Sequence, residues 1–458
     1  MRDIGSAIES IQREVGSDVL VTPADPTEYA VDGIEPLAVA RPADAVELAD
    51  VLRLAGEHRV PVFPRGAGFF SHLGAPLSAS GIAIPLERLN AMVAYEPADL
   101  TVTVQSGMTL GALQRYVAEC DQCLPLDPLC PDGATIGGIV AANASGPSRF
   151  RYGTVSDMVL GVRAIAMTGE MLSAGGRVVK NVAGYDLGSL LVGSLGTLAV
   201  LAELTFKVWP RPAARLTMLG RCASCEQAQE AATALIGSQL EPVFIELLNA
   251  NALLGRGDSG GEGHASTSEP EHAAAIVVGF DGSGADVTYQ RAEAESLLQR
   301  AGVATQSLDG DDGVVARMWL RTILRQIATG PTGLVTMRLS VLSSDVGTAI
   351  AGAQQLASDF DWRCAAQAHA GNGIVHIVAE APSPTDEPPE RVAGLCEGLR
   401  EEAEGLGGWA IIERAPAGVK ELAGVWGKAA PQGKLTASIK EAFDPAGILS
   451  PGRLPDGR

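Results

Sequence analysis

The chain has little positive charge, few aromatic residues and no long apolar run. Of its 458 residues, 34 are lysine or arginine and 54 are aspartate or glutamate, which gives a net charge of −20. A protein that binds nucleic acid needs a basic face toward the phosphates, so this balance argues against a nucleic-acid partner. No apolar stretch approaches the ~20 residues that cross a bilayer, and the sequence predicts no transmembrane segment.

Cysteine is also scarce, and its count of seven is odd. An odd count in a long chain is typical of a reducing compartment rather than of a disulfide framework. Met1–Gly5 lacks the apolar core of a signal peptide, so we expect a cytoplasmic protein. Two C-x-x-C pairs, Cys120/Cys123 and Cys222/Cys225, lie far apart in the sequence. Their separation favours coincidental pairs over a zinc ribbon or a cluster.

Glycine is abundant, with 54 residues, and three ordered stretches combine it with other small residues. Phe63–Gly74 follows an apolar, strand-like run, and its Arg-Gly-Ala-Gly turn would present N–H groups beside a guanidinium. Such a turn suits a pyrophosphate. Asp127–Asp157 has glycine pairs around small side chains, which allow a ligand to lie against the main chain. A closely packed small-residue helix would also explain that stretch. The third stretch is Gly175–Val200.

These stretches, in this order, resemble the FAD-binding domain of the vanillyl-alcohol oxidase/PCMH flavoprotein superfamily. More narrowly, Val178–Leu187 followed by Gly193–Leu198 looks like the E-subunit family of bacterial glycolate oxidases. The resemblance covers about residues 35–210, and it returns at Phe443–Arg453, which is similar to the closing motif of the family.

The resemblance implies which residues contact FAD. The implied contacts are Pro64, Arg65, Gly66, Ala67, Gly68, Phe69, Phe70, Pro131, Gly133, Gly137, Gly138, Asn143, Ser145, Gly146, Arg149, Tyr152, Gly153, Asp157, Gly196 and Val200. Members with covalent flavin often carry a histidine directly after the glycine loop. Phe69 stands there, and His72 comes three residues later, so we expect noncovalent FAD.

We predict an α+β fold, in which a PCMH-type FAD-binding domain of two subdomains precedes a ferredoxin-like α+β cap domain. The FAD-binding domain is expected at 1–210, with subdomains at about 1–93 and 94–210. Strand–helix repeats after Pro210 and Pro212 place the cap, or substrate, domain at 211–430, with a flexible loop at about 255–270. Residues 431–458 are expected to return to the FAD-binding domain.

The resemblance also points to a substrate site. His369 and His376 flank a glycine turn, as in related 2-hydroxy-acid dehydrogenases, where two such histidines bind a divalent metal. Glu413 would be a third ligand, and imidazole suits zinc, manganese or iron. The histidine base expected next to it is replaced by Arg414. Arg321 and Arg338 are candidate clamps for the substrate carboxylate, since a guanidinium offers two donors, although either could be a surface arginine.

The leading hypothesis is therefore an FAD-binding subunit of a glycolate oxidase-type complex. It would oxidise glycolate or D-lactate and pass electrons to a separate iron–sulfur subunit, next to a second flavoprotein subunit, with a peripheral inner-membrane location through these partners. The alternative is a self-sufficient, metal-assisted D-2-hydroxy-acid dehydrogenase. A structural subunit without flavin is a third possibility, and the retained glycine motifs argue against it.

Overall fold

Helices and mostly antiparallel sheets alternate along the chain, which confirms the α+β prediction. The computed structural model describes residues 4–130, 132–176, 186–254, 273–329, 333–383, 387–427 and 433–455. The strands are β1 Leu20–Val21, β2 Ala38–Ala40, β3 Val62–Arg65, β4 Ile82–Pro85, β5 Met92–Glu96, β6 Thr101–Gln105, β7 Gln122–Cys123, β8 Val159–Ile165, β9 Met171–Gly175, β10 Val200–Lys207, β11 Trp209–Pro210, β12 Ala214–Cys222, β13 Phe244–Asn249, β14 Ala274–Gly282, β15 Ala304–Leu308, β16 Gly333–Ser340, β17 Arg363–His369, β18 Ile374–Glu380 and β19 Trp409–Arg414. The helices are α1 Ile4–Val15, α2 Ala45–His58, α3 Leu110–Ala118, α4 Ile136–Ala141, α5 Arg149–Tyr152, α6 Val155–Met158, α7 Leu187–Leu191, α8 Cys225–Ile236, α9 Ala250–Leu254, α10 Gly284–Arg300, α11 Gly310–Thr329, α12 Val346–Asp359, α13 Pro389–Gly405, α14 Ala417–Ala423 and α15 Gly433–Phe443.

The first sheet joins four strands in the order β1–β2–β4–β3. Strands β2, β3 and β4 are parallel, whereas β1 runs antiparallel to β2. Helix α2 packs on this sheet. Its start is fixed by Asp44, whose carboxylate accepts from the N–H groups of Val46 and Glu47. Since β3 ends at Arg65, the glycine loop begins at the carboxyl edge of the parallel strands.

The second sheet is antiparallel, in the order β5–β6–β10–β8–β9, and the small-residue helix α4 packs against it. Thr135 begins α4 and accepts from Gly138 N at 3.3 Å. Gly137 N donates to Ser106 O at 2.7 Å, and a Cβ at Gly137 would lie 2.7 Å from the Cβ of Ser106. Only glycine therefore lets the helix approach the end of β6 this closely.

The third sheet has eight antiparallel strands in the order β15–β12–β14–β13–β17–β18–β16–β19. Helices α8, α10, α12 and α13 cover one face, and α11 packs on the other. The strands of the first two sheets end at Lys207, and those of the third begin at Ala214. We call 211–430 the cap domain, as a proposal, and the whole of its expected flexible loop at about 255–270 lies outside the described residues.

The end of the chain lies against the first two sheets. Ile439 and Phe443 of α15 pack on the core of the second sheet, and Leu449 forms a parallel bridge to Val62. Lys440 is buried, and its ammonium donates to Thr197 O at 2.8 Å and Leu449 O at 2.7 Å. These bonds fix the last segment beside the glycine loop.

A buried ion network ties the cap domain to that loop. The ammonium of Lys420, on α14, donates to Asp32 Oδ1 at 2.7 Å and to His72 O at 2.6 Å. Arg453 donates to Asp32 Oδ2 at 3.0 Å and to Ser71 O at 2.7 Å. One carboxylate thus holds two cations, and both cations hold carbonyls of the loop that follows the glycine turn.

We expect Lys420→Met to destabilise the protein. Lys420 is 1% exposed, so removing its charge takes away one of the two buried cations beside Asp32 and the donor to Asp32 Oδ1. Loss of one member of a buried ion pair costs about 3–5 kcal/mol. The free energy of unfolding, measured by chemical denaturation, should fall by that amount, while the exposed Lys434→Met should change little. Equal stabilities for the two variants would contradict this role of the network.

Within the described ranges, none of the helices is both long and apolar enough to cross a membrane.

Candidate active site

A cavity lies between the first and second sheets. Residues 63–71, 137–142 and 195–201 supply most of its wall, and Ser106, Thr135 and Arg453 add polar groups. We call it the glycine-loop cavity. The Arg65 guanidinium donates to Glu28 O and lies 5.4 Å from the centre of the Tyr29 ring. Burial lowers the pKa of Arg65.

A second cavity adjoins the first and lies between the first half of the chain and the cap domain. The two cavities share Phe69, Phe70 and Ala142. We call the second one the histidine cavity. Its charged or titratable lining residues are His72, Arg149, Arg338, His376, Glu413 and Arg414. These groups therefore lie beside the end of the glycine-loop cavity.

Two features of the glycine-loop cavity fit the binding of FAD. Ser106 Oγ is buried at the glycine-loop cavity and has no hydrogen-bond partner within the described part of the chain. A Cβ at Gly138 would stand 3.1 Å from Thr135 Oγ1 and 3.6 Å from the Phe70 ring, among residues that line the cavity. The two adjoining cavities suit an extended dinucleotide whose ring system ends at the histidine cavity.

His376 and Glu413 form a pair in the histidine cavity. His376 Nδ1 lies 3.2 Å from Glu413 Oε2, and Arg338 Nε lies 3.9 Å from Glu413 Oε1. Burial lowers the pKa of His376. Burial opposes ionisation of Glu413, but its contact with His376 and the charge of Arg338 outweigh burial and hold the pKa of Glu413 below its usual range. A neutral imidazole thus faces an ionised carboxylate, to which it donates its Nδ1–H.

His369 lies directly behind His376, with ring centres 5.3 Å apart. Its Nδ1 lies 2.7 Å from Oε1 of Glu246, which is fully buried, and Gln367 donates to the other Glu246 oxygen at 2.7 Å. His369 Nε2 is buried and has no hydrogen-bond partner among the described residues. Sequence reasoning missed Glu246 because it lies on β13, distant in sequence from the histidine motif.

The predicted metal set comes together only in part. His369 and His376 are neighbours, but Glu413 contacts Nδ1 of His376, and Glu246 contacts Nδ1 of His369. In the parts of the chain that are described, no group of three or more histidine, cysteine, aspartate or glutamate side chains is arranged to hold an ion. Since the predicted ligands come together only in part, we derive no catalytic step through a metal, and the metal stays a prediction.

The two candidate carboxylate clamps lie in different places. Arg338 lines the histidine cavity and lies 5.8 Å from the centre of the Trp409 ring. Arg321 lines a separate cleft. It donates to Cys130 O at 3.2 Å and forms an ion pair with Asp132 at 2.8 Å. The position of Arg321 supports a contact between α11 and the loop before α4.

The residues implied to contact FAD fall into three groups. Those that line the glycine-loop cavity are Pro64, Arg65, Gly66, Ala67, Gly68, Phe69, Phe70, Gly137, Gly138 and Gly196. Those that line the histidine cavity are Phe69, Phe70, Asn143, Ser145 and Arg149. Those that line neither cavity are Gly133, Gly146, Tyr152, Gly153, Asp157 and Val200. Pro131 lies outside the described residues.

Three residues of the group that lines neither cavity have a structural role. A Cβ at Gly146 would lie 1.6 Å from Asp127 O, so this glycine permits close packing. Asp157 caps α6 by accepting from Thr154 N at 2.7 Å. Val200 is fully buried in the core next to the first sheet. Their contact with FAD stays a prediction.

Several lining residues were not predicted from the sequence. Ser106, Thr135 and Arg453 line the glycine-loop cavity, and Thr336 and Arg414 line the histidine cavity. Arg453 belongs to the closing Pro-Gly-Arg motif, which the resemblance had already singled out, so that motif was the available signal. Ser106 and Thr135 carry no such signal, because isolated hydroxyl residues usually serve turns and caps.

Known proteins are similar to this chain in sequence and in fold. Residues 36–175 match the family described as "FAD binding domain", and residues 211–454, more than half of the chain, match "FAD linked oxidases, C-terminal domain". The solved structure of p-cresol methylhydroxylase with substrate superposes with a TM-score of 0.80 at 16% identity, over 98% of this chain and 96% of that one. This confirms the predicted PCMH-type fold.

Named relatives cover most or part of the chain. Glycolate oxidase subunit GlcD of Bacillus subtilis is 28% identical over 92% of this chain and 89% of its own length. D-lactate dehydrogenase of Archaeoglobus fulgidus is 27% identical over 94% of both chains. Glycolate oxidase subunit GlcE of Escherichia coli is 37% identical, but over 43% of this chain and 55% of its own length. These matches support the broad family rather than the E subunit in particular. The chain belongs to the FAD-linked oxidase family and is an FAD-dependent oxidoreductase.

Proposed function

We propose that the chain is an FAD-binding subunit of a glycolate oxidase-type complex and oxidises a 2-hydroxy acid such as glycolate or D-lactate. The observation that carries the proposal is the junction of the two cavities at Phe69, Phe70 and Ala142. Beyond this junction, a carboxylate-binding arginine and a neutral histidine lie together. Those two groups are what the oxidation of a 2-hydroxy acid requires.

Arg338 binds the substrate carboxylate in this proposal. Its Nε is buried and has no hydrogen-bond partner within the described ranges, and its ion pair with Glu413 is long, at 3.9 Å. The guanidinium therefore retains donors for a ligand, and a two-pronged bond to a carboxylate fixes the orientation of the acid. The α-carbon is then held against the end of the cofactor site.

His376 takes the hydroxyl proton. Its Nδ1–H is donated to Glu413, which leaves the Nε2 lone pair as an acceptor. Burial keeps the imidazole neutral near pH 7, so it is in the basic form that general-base catalysis needs. FAD, when bound, supplies the ring that accepts the hydride from the α-carbon. Phe69 and Phe70 help to exclude water from the junction.

The electrons then pass to an iron–sulfur subunit, and a second flavoprotein subunit completes the complex. The match to relatives named as glycolate oxidase subunits supports this assembly. We propose a cytoplasmic chain with noncovalent FAD that reaches the inner membrane through its partners. The assembly is tested by purifying the tagged chain from its source and measuring bound iron. Stoichiometric iron supports it, whereas an iron-free, fully active chain would sink it.

The second candidate is a self-sufficient, metal-assisted D-2-hydroxy-acid dehydrogenase. The free Nε2 of buried His369 favours it, as does the match over nearly the whole length to a D-lactate dehydrogenase. Metal analysis of the purified chain and of its His369→Ala variant distinguishes the two candidate functions. Bound divalent metal that disappears in the variant, together with flavin reduction by the chain alone, would favour the second.

Arg338→Met tests the proposed substrate site. We expect anaerobic reduction of bound FAD by glycolate or D-lactate to lose about 100-fold in apparent second-order rate, because a hydrogen bond to a charged group is worth about 1.5–3 kcal/mol. Flavin content should stay at the wild-type level, because Arg338 does not line the glycine-loop cavity. Arg363→Met, on the same sheet but outside both cavities, is the control. Unchanged reduction in Arg338→Met would contradict the proposed clamp.

A further inference from the structure

Trp409 lies on β19, at one edge of the third sheet, and its side chain is 52% exposed. Exposure alone assigns no role to a single apolar residue. The contact of the ring is more informative, because the guanidinium of Arg338 lies over it with Cζ 5.8 Å from the ring centre. At that distance the face of an indole attracts a cation. The exposed ring therefore has a specific partner, and this partner is the arginine proposed to bind the substrate carboxylate.

The pairing of β16 with β19 places the two side chains together. Arg338 lies opposite Ile411, and Ser340 lies opposite Trp409. Residues that lie opposite each other in an antiparallel pair project from the same face, and diagonal neighbours are within reach of long side chains. Trp409 is such a diagonal neighbour of Arg338, so the register of the sheet brings the ring beside the guanidinium.

On its other side, Arg338 faces Glu413. The distance from Arg338 Nε to Glu413 Oε1 is 3.9 Å, whereas a hydrogen-bonded guanidinium and carboxylate lie about 2.7–2.9 Å apart. Without a second contact, the guanidinium would close this gap, because opposite charges attract each other strongly in a partly buried site. Its donors would then be occupied by Glu413 instead of by a ligand.

Arg338 lies at the boundary between the histidine cavity and a neighbouring cleft. This outer cleft is lined by Trp409, Ile411 and Trp426, among others, and Arg338 belongs to the wall of both spaces. Trp409 does not line the histidine cavity. Its ring therefore acts on a ligand in that cavity through Arg338 and not by direct contact.

We propose that Trp409 is a positioning residue for substrate binding, whose ring holds the Arg338 guanidinium away from Glu413 and directed at the substrate carboxylate. This inference rests on the proposed role of Arg338. An aromatic face attracts the guanidinium without accepting its N–H groups in ordinary hydrogen bonds, so the donors remain for the substrate. An acidic side chain in the place of Trp409 would occupy those donors.

The experiment measures binding of butyrate, a carboxylate without a hydroxyl group, to the FAD-loaded full-length chain by isothermal titration calorimetry. We expect Trp409→Leu to weaken binding about threefold or more, which is the range of one cation–π contact. Trp409→Phe keeps an aromatic face and should restore part of the affinity. The control Tyr289→Leu removes an exposed aromatic ring of α10 that lies outside both cavities and the outer cleft, and it should bind butyrate as the wild type does.

A double-mutant cycle separates positioning from a general structural role. In the Arg338→Met background, Trp409→Leu should change butyrate affinity by less than about twofold, because the guanidinium that the ring holds is gone. An equal loss in both backgrounds would overturn the inference, and so would wild-type affinity in Trp409→Leu. If Trp409→Leu is unstable, Trp409→Thr, which suits an exposed edge strand, takes its place in the cycle.

The kinetics of flavin reduction give a second readout. In Trp409→Leu, the concentration of glycolate or D-lactate that gives the half-maximal rate should rise about threefold or more, while the rate at saturating acid should change much less. A fall in the saturating rate with an unchanged half-maximal concentration would contradict a role in binding.

The binding data also distinguish this inference from the proposed oxidation. If Arg338→Met binds butyrate as tightly as the wild type, the proposed carboxylate clamp is wrong, and the inference is wrong with it. If Arg338→Met weakens binding and Trp409→Leu does not, the inference alone is wrong. If both variants weaken binding and no 2-hydroxy acid reduces the flavin, the inference holds and the proposed oxidation is wrong.

Discussion

The Gly138→Trp variant is expected to fold and to contain no flavin. Gly138 lines the glycine-loop cavity, and a Cβ there would meet Thr135 Oγ1 at 3.1 Å and the Phe70 ring at 3.6 Å. No backbone atom stands in the way, so the indole enters the space assigned to the cofactor. Overpacking of a filled site costs about 1–3 kcal/mol, and 3 kcal/mol corresponds to about 100-fold weaker binding. Visible flavin absorbance of the purified protein measures the loss.

The control for bulk and hydrophobicity is Gly418→Trp. Gly418 is exposed on α14, and a Cβ there would have no heavy atom within 4 Å. This variant should keep wild-type flavin content and a wild-type unfolding transition. If Gly138→Trp stays yellow with unchanged affinity for FAD, the cofactor does not lie along α4, and the assignment of the glycine-loop cavity is wrong.

His376→Gln is expected to slow flavin reduction by about 100- to 10,000-fold, because it removes the proposed general base. Glutamine keeps a polar side chain, so flavin content and substrate affinity should change much less than the rate. His58→Gln, at the end of α2 and outside both cavities, is the matched control. Stopped-flow reduction at saturating substrate measures the rate, and a rate within threefold of wild type, roughly the uncertainty of such effects, would remove His376 from the mechanism.

The pH dependence follows from the same group. A base must be unprotonated, and burial lowers the pKa of His376 below the value of about 6.5 that is usual for histidine. The reduction rate of the wild type should therefore be level above pH 6.5 and should fall as the pH decreases through the lowered pKa. In the His376→Gln variant, the reduction rate should no longer fall in this way as the pH decreases. A rate that rises through pH 8 would assign the proton to another group.

The cofactor side could be read from the sequence because its signals are local. The Arg65–Gly68 turn follows an apolar strand, and Gly137 and Gly138 lie in a short run of small residues. Each of those features is set by backbone conformation and close approach, which the residue types themselves report. The structure places most of the implied residues around the two joined cavities.

The substrate side could be read only in part, because its residues come from distant strands. Arg321 and Arg338 looked alike in sequence, yet Arg321 bonds to the loop before α4 and Arg338 lines the histidine cavity. Glu246 reaches His369 through the pairing of β13 with β17, which no local pattern reports. The resemblance implied that Arg149 contacts FAD. The structure shows that Arg149 also lies beside charged residues of the cap domain, Arg338 and Arg414, in the histidine cavity.

The central claim is that FAD extends from the glycine-loop cavity to the histidine cavity. The most direct measurement is an electron density map of the FAD-loaded chain. We predict a pyrophosphate beside Arg65–Gly68 and the flavin ring at Phe69, Phe70 and Ala142, with its reactive edge toward Arg338 and His376. Density for FAD in the cleft lined by Arg321, or a flavin ring remote from His376, would contradict the account.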